Sequence, residues 1–232
     1  MTKPPPDRFH YLFIIVFILM YICISLSCSD SVPQIIQTDV NVIFDYSDEN
    51  SAPSMHLSVF VQSDSDVRRV GNIVIENVST GYQWGITSPE IIASADTEWA
   101  GYADLEPRDT EPIPQGSYKL EYTDSYGRKV ETEFSVIYNK ELVDSTSADI
   151  AKLLGIGYES KIAVYTATHE LVYFGKRKKE WKNNDAVFKD FKDASYMRIC
   201  AVSSTDNTVC MLPIHVKPGE EVDITAVPGK NK

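Results

Sequence analysis

Apolar and polar residues alternate along the chain between about residues 35 and 138. The clearest case runs from Met55 to Val61, where every second residue is apolar. A period of two is typical of a strand with one buried face, and turn residues such as Asp124 and Gly127 separate the alternating segments. We therefore predict antiparallel strands that bury the following residues: Leu57, Val59, Val61, Ile73, Ile75, Leu120, Phe134 and Val136.

The chain from about residue 139 to 216 has a different pattern. Apolar residues at helical spacing predict two short helices, at 148–155 and 185–193. The remaining apolar segments predict four strands, at 161–166, 170–175, 196–203 and 208–216. We predict a small α+β region at 139–216, which either forms a separate domain or adds strands to the first sheet. The pattern of residues 217–232 predicts an edge strand followed by a loose tail.

The first 27 residues form a targeting segment. An apolar run at 11–26 follows the basic residues Lys3 and Arg8 and ends in small residues. This order is typical of a secretory signal, whereas a membrane-spanning helix needs about 20 apolar residues. An uncleaved membrane anchor and ordinary signal cleavage remain the alternatives to the lipoprotein interpretation below.

The end of this apolar run resembles the lipobox of bacterial lipoproteins. The residues that carry the resemblance are Ser25, Leu26, Ser27 and Cys28, with Ser25 at the position where the family has a large aliphatic residue. The resemblance implies that the Cys28 thiol takes a diacylglycerol, that the peptide is cut before Cys28, and that the new amine is acylated. It also implies a bacterial cell-envelope protein, lipid-anchored to a membrane facing the periplasm or the cell exterior, with 28–34 as a tether.

A second resemblance lies between residues 105 and 136. The residues that carry it are Leu105, Pro107, Pro114, Gly116 and Tyr118, followed by a predicted hairpin. This segment resembles immunoglobulin-like and fibronectin type III-like domains. The resemblance implies that Tyr118 is the corner tyrosine, whose hydroxyl bonds to nearby backbone. The predicted fold is thus mainly β, an immunoglobulin-like antiparallel sandwich followed by a smaller α+β region. Another antiparallel meander is the alternative.

Composition and charge narrow the class of protein. Of the 232 residues, 43% are hydrophobic and 24% charged, which indicates a folded domain rather than a disordered chain. The formal net charge is −11. Because nucleic acid phosphates require a positive surface, this charge argues against a nucleic acid partner.

The sequence contains few of the usual catalytic bases, nucleophiles and soft-metal ligands. The histidines of the exported part, His56, His169 and His215, are far apart and lack metal-binding spacing. We predict no metal, no cofactor and no enzyme activity. Cys200 and Cys210 flank the last predicted hairpin and would face each other if its centre lay near Thr205. They are either a disulfide or two small apolar residues.

One basic cluster follows a predicted strand. It consists of Lys176, Arg177, Lys178, Lys179, Trp181 and Lys182. It is either an interaction patch for a protein, glycan or lipid headgroup, or a solvated turn that balances an acidic body. Trp84 and Trp99 could join Trp181 in stacking on sugars if they were exposed.

Three classes of function follow from these features. The first is a non-catalytic envelope lipoprotein that acts as a protein-interaction or structural module. The second is a lipoprotein that binds a glycan or small ligand through its aromatic residues. The third is an enzyme whose site residues are dispersed in the sequence, and a pocket that groups a histidine with a carboxylate and a hydroxyl would favour it.

Overall fold

The structure is a computed structural model that describes residues 32–94, 97–108 and 111–222. The predicted signal segment 1–27, Cys28 and most of the predicted tether lie outside the described residues, as does the chain from residue 223. No helix of the described part has both the length and the apolar character needed to span a bilayer. The described residues from Pro33 onward form one compact unit.

The first region forms two antiparallel sheets that pack as a sandwich, which confirms the predicted fold class. Its strands are β1 (Ile35–Asp45), β2 (Ser54–Ser63), β3 (Val70–Asn77), β4 (Gln83–Ile86), β5 (Glu90–Ser94), β6 (Thr97–Leu105), β7 (Gly116–Asp124) and β8 (Lys129–Val136). One sheet has the order β4-β3-β7-β8, and the other contains β1-β2-β6-β5. The residues predicted to face inward are buried, except Phe134, which is half-buried.

Tyr118 makes a hydrogen bond to nearby backbone, as expected from the sequence. Its hydroxyl donates a hydrogen bond to the backbone carbonyl of Pro114 over 2.6 Å, and its ring stacks on Phe134 with centroids 5.4 Å apart. Burial raises the pKa of Tyr118 to about 12, so the hydroxyl remains a donor at neutral pH. The bond fixes the loop that enters β7.

The second region contains short helices and further strands. They are α1 (Ile150–Leu154), β9 (Tyr158–Thr166), β10 (Leu171–Lys176), α2 (Asn184–Asp190), β11 (Ala194–Ser203), β12 (Thr208–Met211) and β13 (His215–Val216). Short 3₁₀ turns at Lys140–Asp144 and Ser147–Asp149 precede α1. The predicted strand 208–216 is divided into β12 and β13, with Pro213 between them. Proline cannot donate a ladder hydrogen bond.

Strands of both regions share one sheet. β12 pairs in parallel with β1, through partners such as Val42 and Thr208. Within the described residues this sheet has nine strands, in the order β10-β9-β11-β12-β1-β2-β6-β5, with β13 beside β11. The main core lies between the two sheets of the sandwich. A smaller core forms where Val187 and Phe188 of α2, together with Trp181, pack near Ile162 and Met197.

A buried ion pair joins the two regions. Arg198 of β11 is 1% exposed and Asp45 at the end of β1 is 4% exposed. The guanidinium donates to both carboxylate oxygens of Asp45, over 2.5 and 2.9 Å. It also donates to the backbone carbonyls of Met211 and Leu212. These bonds tie the ends of β1 and β12 to β11.

Candidate functional site

The pairing of β2 with β6 brings a histidine and two carboxylates together. His56 lies on β2, Asp104 lies near the end of β6, and Glu106 follows that strand. One possible ligand atom from each of the three residues lies within 4.8 Å of the others. The three residues are dispersed in the sequence, and only the strand pairing makes them neighbours.

A β-bulge positions Asp104. Leu57 pairs with Leu105 and Val59 pairs with Tyr102, so β6 has one residue more than β2 in this interval. Such a bulge bends the strand and changes the direction of a side chain, and bulges are frequent beside functional sites. Here the carboxylate of Asp104 lies 2.5 Å from Nδ1 of His56.

Only one of the two ring nitrogens of His56 makes a hydrogen bond within the described residues. Its Nε2 lies 3.1 Å from the hydroxyl of Ser54 and forms a hydrogen bond with it. Its Nδ1 and Oδ1 of Asp104 are close, but they lack the alignment of a hydrogen bond, and neither atom hydrogen-bonds elsewhere in the described part of the chain. His56 is only 5% exposed. A buried nitrogen and a buried oxygen therefore face each other without a shared hydrogen bond.

A cavity of about 380 Å³ opens beside this cluster. Ser54, His56 and Glu106 line it from the sheet, and Glu111 and Asp144 line it from the loops. The described residues around the cavity include no lysine or arginine. Since carboxylates provide the charge of its wall, the cavity favours a cation over an anion.

The same group also has the order hydroxyl, imidazole, carboxylate. In serine hydrolases the carboxylate accepts a hydrogen bond from Nδ1 of the histidine and thereby orients the ring as a base. Ser54 and His56 are in place for such a role, but the contact between His56 and Asp104 is misaligned for it. The described residues therefore lack the orienting hydrogen bond that this role requires.

The basic cluster is largely engaged with the protein itself. Lys176 pairs with Glu159 over 2.6 Å, and Arg177 donates to the backbone carbonyl of Trp181. The ammonium of Lys178 lies 4.7 Å from the centre of the Trp181 ring. Lys179 and Lys182 are exposed, and neither makes an ion pair within the described residues.

The three tryptophans differ in their exposure. Trp181 is 3% exposed, and its indole N–H donates to Asp190. Trp84 and Trp99 are half-buried. The indole of Trp84 donates to the carbonyl of Glu106, and that of Trp99 donates to Thr97. The burial of Trp181 removes it from any sugar-stacking surface and weakens the glycan hypothesis.

The register of the last hairpin differs from the one that would place its cysteines face to face. Cys200 pairs with Met211, and Cys210 pairs with Ala201. Successive side chains of a strand point to opposite faces of the sheet, so this offset of one residue directs the two thiols to opposite faces. Both cysteines are free and buried.

We expect both thiols to be inert in the folded protein. Burial raises the pKa of Cys200 to about 11 and that of Cys210 to about 12, so both remain protonated at pH 8. Because the thiolate is the reactive form, a maleimide should label neither residue until the chain is denatured, as read by peptide mass spectrometry. Rapid labelling of the folded protein, or a peptide in which Cys200 and Cys210 are joined, would contradict this expectation.

The cluster around His56 matches no sequence motif, because its histidine and carboxylates are far apart in the sequence. The only local signal is the spacing: Ser54 and His56 are two residues apart, and so are Asp104 and Glu106. Residues at this spacing lie on the same face of a strand. Alternation of this kind is common on exposed strands. The bulge and the strand register are what make these four residues a group.

Comparisons with known proteins do not assign the chain to a family. No protein-family model matches it, and no curated protein matches it either.

Proposed function

We propose that the chain is a lipid-anchored protein of the bacterial cell envelope whose β body recognises a protein partner without catalysing a reaction. The observation that carries this proposal is Cys28, which lies at the end of the apolar run and shortly before β1 begins at Ile35. A lipid on Cys28 would hold the sandwich close to the membrane surface through a short polar tether.

The expected strength of the anchor follows from its acyl chains. Each buried CH₂ group contributes about 0.8 kcal/mol, so one chain holds a protein weakly and two or three hold it firmly. A diacylglycerol on the Cys28 thiol and a further acyl group on its amine would therefore keep the protein at the membrane without a spanning helix.

The proposed recognition surface is the outer strand β10 and the basic turn that follows it. β10 is the last strand in the sheet order, and it exposes Leu171, Val172 and Phe174. An edge strand of this kind has unpaired backbone groups that can pair with another chain. Lys179 and Lys182 add positive charge beside it, which complements a partner with acidic residues.

Charge reversal at this surface tests the proposal. Lys179→Glu with Lys182→Glu should reduce the amount of partner cross-linked in intact envelopes about tenfold, equivalent to about 1.4 kcal/mol. The internal contacts of Lys176, Arg177 and Lys178 are left in place, so the fold should be unaffected. Lys152→Glu, at another exposed lysine, is the matched control and should capture as much partner as the wild type.

Equal capture by the double variant and the wild type would exclude this surface. A catalytic function is the second candidate, because Ser54 and His56 line the cavity and Asp104 contacts His56. Reproducible ester or peptide hydrolysis by the purified chain, abolished by Ser54→Ala, would favour that candidate over the non-catalytic one.

A further inference from the structure

We propose that His56, Asp104 and Glu106 form a binding site for a divalent transition-metal cation of the Zn²⁺ class, open on one side to the cavity. This site is separate from the recognition surface at β10 and does not depend on the proposed function. The ligands would be Nδ1 of His56 and one carboxylate oxygen from each of the two acidic residues.

The spacing of these atoms suits a single small cation. Zinc binds histidine nitrogen and carboxylate oxygen at about 2.0–2.2 Å, so neighbouring ligands of a tetrahedral ion are about 3.4 Å apart. The three candidate atoms already lie within 4.8 Å of one another. Because Glu106 is exposed and Asp104 is partly exposed, their side chains have room to rotate toward a shared cation. Binding would widen the 2.5 Å contact between Asp104 and His56 to about 3.4 Å.

The two inner ligand atoms lack other partners. Nδ1 of His56 and Oδ1 of Asp104 are both buried, and neither makes a hydrogen bond within the described residues. Buried polar atoms of native proteins nearly always have a partner, because leaving them unpaired costs free energy. A cation bound by both atoms would satisfy them.

The hydroxyl of Ser54 provides a hydrogen-bond partner for the ring nitrogen of His56 that would not bind the metal. A histidine that ligates a metal through one nitrogen usually donates its other N–H to a nearby acceptor, which fixes the tautomer and the ring orientation. In this structure Nε2 of His56 lies 3.1 Å from Oγ of Ser54. With the proton on Nε2, the lone pair of Nδ1 is available to bind the cation.

The mixture of ligands selects the class of ion. Calcium and magnesium prefer oxygen ligands, whereas imidazole with carboxylates suits zinc and its neighbours in the first transition series. Three protein ligands leave a fourth position on the cavity side, where water or a group of a bound molecule could bind. Glu111 and Asp144 in the cavity wall add negative charge that attracts the cation.

Titration calorimetry with zinc chloride tests the site. The purified full chain in detergent, stripped of metal with a chelator, should bind one equivalent of zinc at neutral pH. His56→Gln should weaken binding by more than about 100-fold, since even loss of an outer partner costs about 10- to 100-fold. Glu106→Gln lies at an exposed position where the fold should tolerate it, and it should weaken binding at least about tenfold.

The matched control is His215→Gln, which removes a histidine outside the cluster and should leave the affinity unchanged. Zinc should also raise the melting temperature of the wild type but not of His56→Gln, because a ligand stabilises the folded state that binds it. If His56→Gln fails to fold, Glu106→Gln decides the outcome. No binding at millimolar zinc, equal affinity in the wild type and Glu106→Gln, or saturation by calcium but not by zinc would each overturn the proposal.

Discussion

Replacing Arg198 with methionine should lower the free energy of unfolding by about 3–5 kcal/mol, the cost of removing one partner of a buried ion pair. The substitution leaves the carboxylate of Asp45, which is 4% exposed, without its cation. It also removes the donors to the carbonyls of Met211 and Leu212. Urea denaturation of the wild type and the variant, followed by circular dichroism, measures the difference.

The matched control is the same substitution at an exposed ion pair. Arg68 pairs with Glu98 over 2.5 Å, but the arginine side chain is 69% exposed. Arg68→Met should therefore change the free energy of unfolding by less than about 1 kcal/mol. Combining Arg198→Met with Asp45→Leu should recover part of the loss, because no unpaired charge remains buried. A loss below about 1 kcal/mol for Arg198→Met alone would show that the pair does not stabilise the junction.

Replacing Cys28 with alanine should abolish acylation of the protein completely. The thiol is the attachment atom in the lipoprotein interpretation, and no other residue can replace it. Cells fed an alkyne analogue of palmitate should label the wild type, and the Cys28→Ala protein should carry no label and be released or mislocalised. Cys23→Ala is the control, because Cys23 lies inside the apolar run and should not affect labelling. Label retained by Cys28→Ala would contradict the assignment of the anchor.

Local patterns were sufficient to predict the first sandwich. Alternation with a period of two identified the inward residues of β2, β3, β7 and β8, because each strand buries one face whichever strand it pairs with. Tyr118 could be identified because the corner motif is local: its hydroxyl reaches Pro114, four residues earlier. Strand faces and short-range hydrogen bonds, which depend on residues close in the sequence, could therefore be predicted.

Long-range pairing could not be predicted in the same way. Nothing local indicates that β12 pairs with β1, a contact between residues such as Phe44 and Cys210. The ion pair of Asp45 with Arg198 depends on that same pairing. For this reason, the sequence left open whether residues 139–216 form a separate domain or extend the first sheet.

The candidate sites could not be predicted in full, because the register of the strand pairs is not visible in the sequence. A shift of one residue reverses the face of every side chain in a strand, which is why Cys200 and Cys210 point apart although they flank one hairpin. The bulge in β6 also changes the register, but here the change brings two side chains together, Asp104 and His56. Burial of Trp181 depended on packing near α2, which the basic residues around it did not indicate.

The most direct test of the lipoprotein assignment is the intact mass of the protein extracted from its native membrane. We predict a chain that begins at Cys28 and carries a diacylglycerol on the thiol and an acyl group on the amine. Tandem mass spectrometry of the first peptide should locate both modifications on Cys28. A membrane-bound form that begins at Met1, or a chain cut at another residue and free of lipid, would contradict the account.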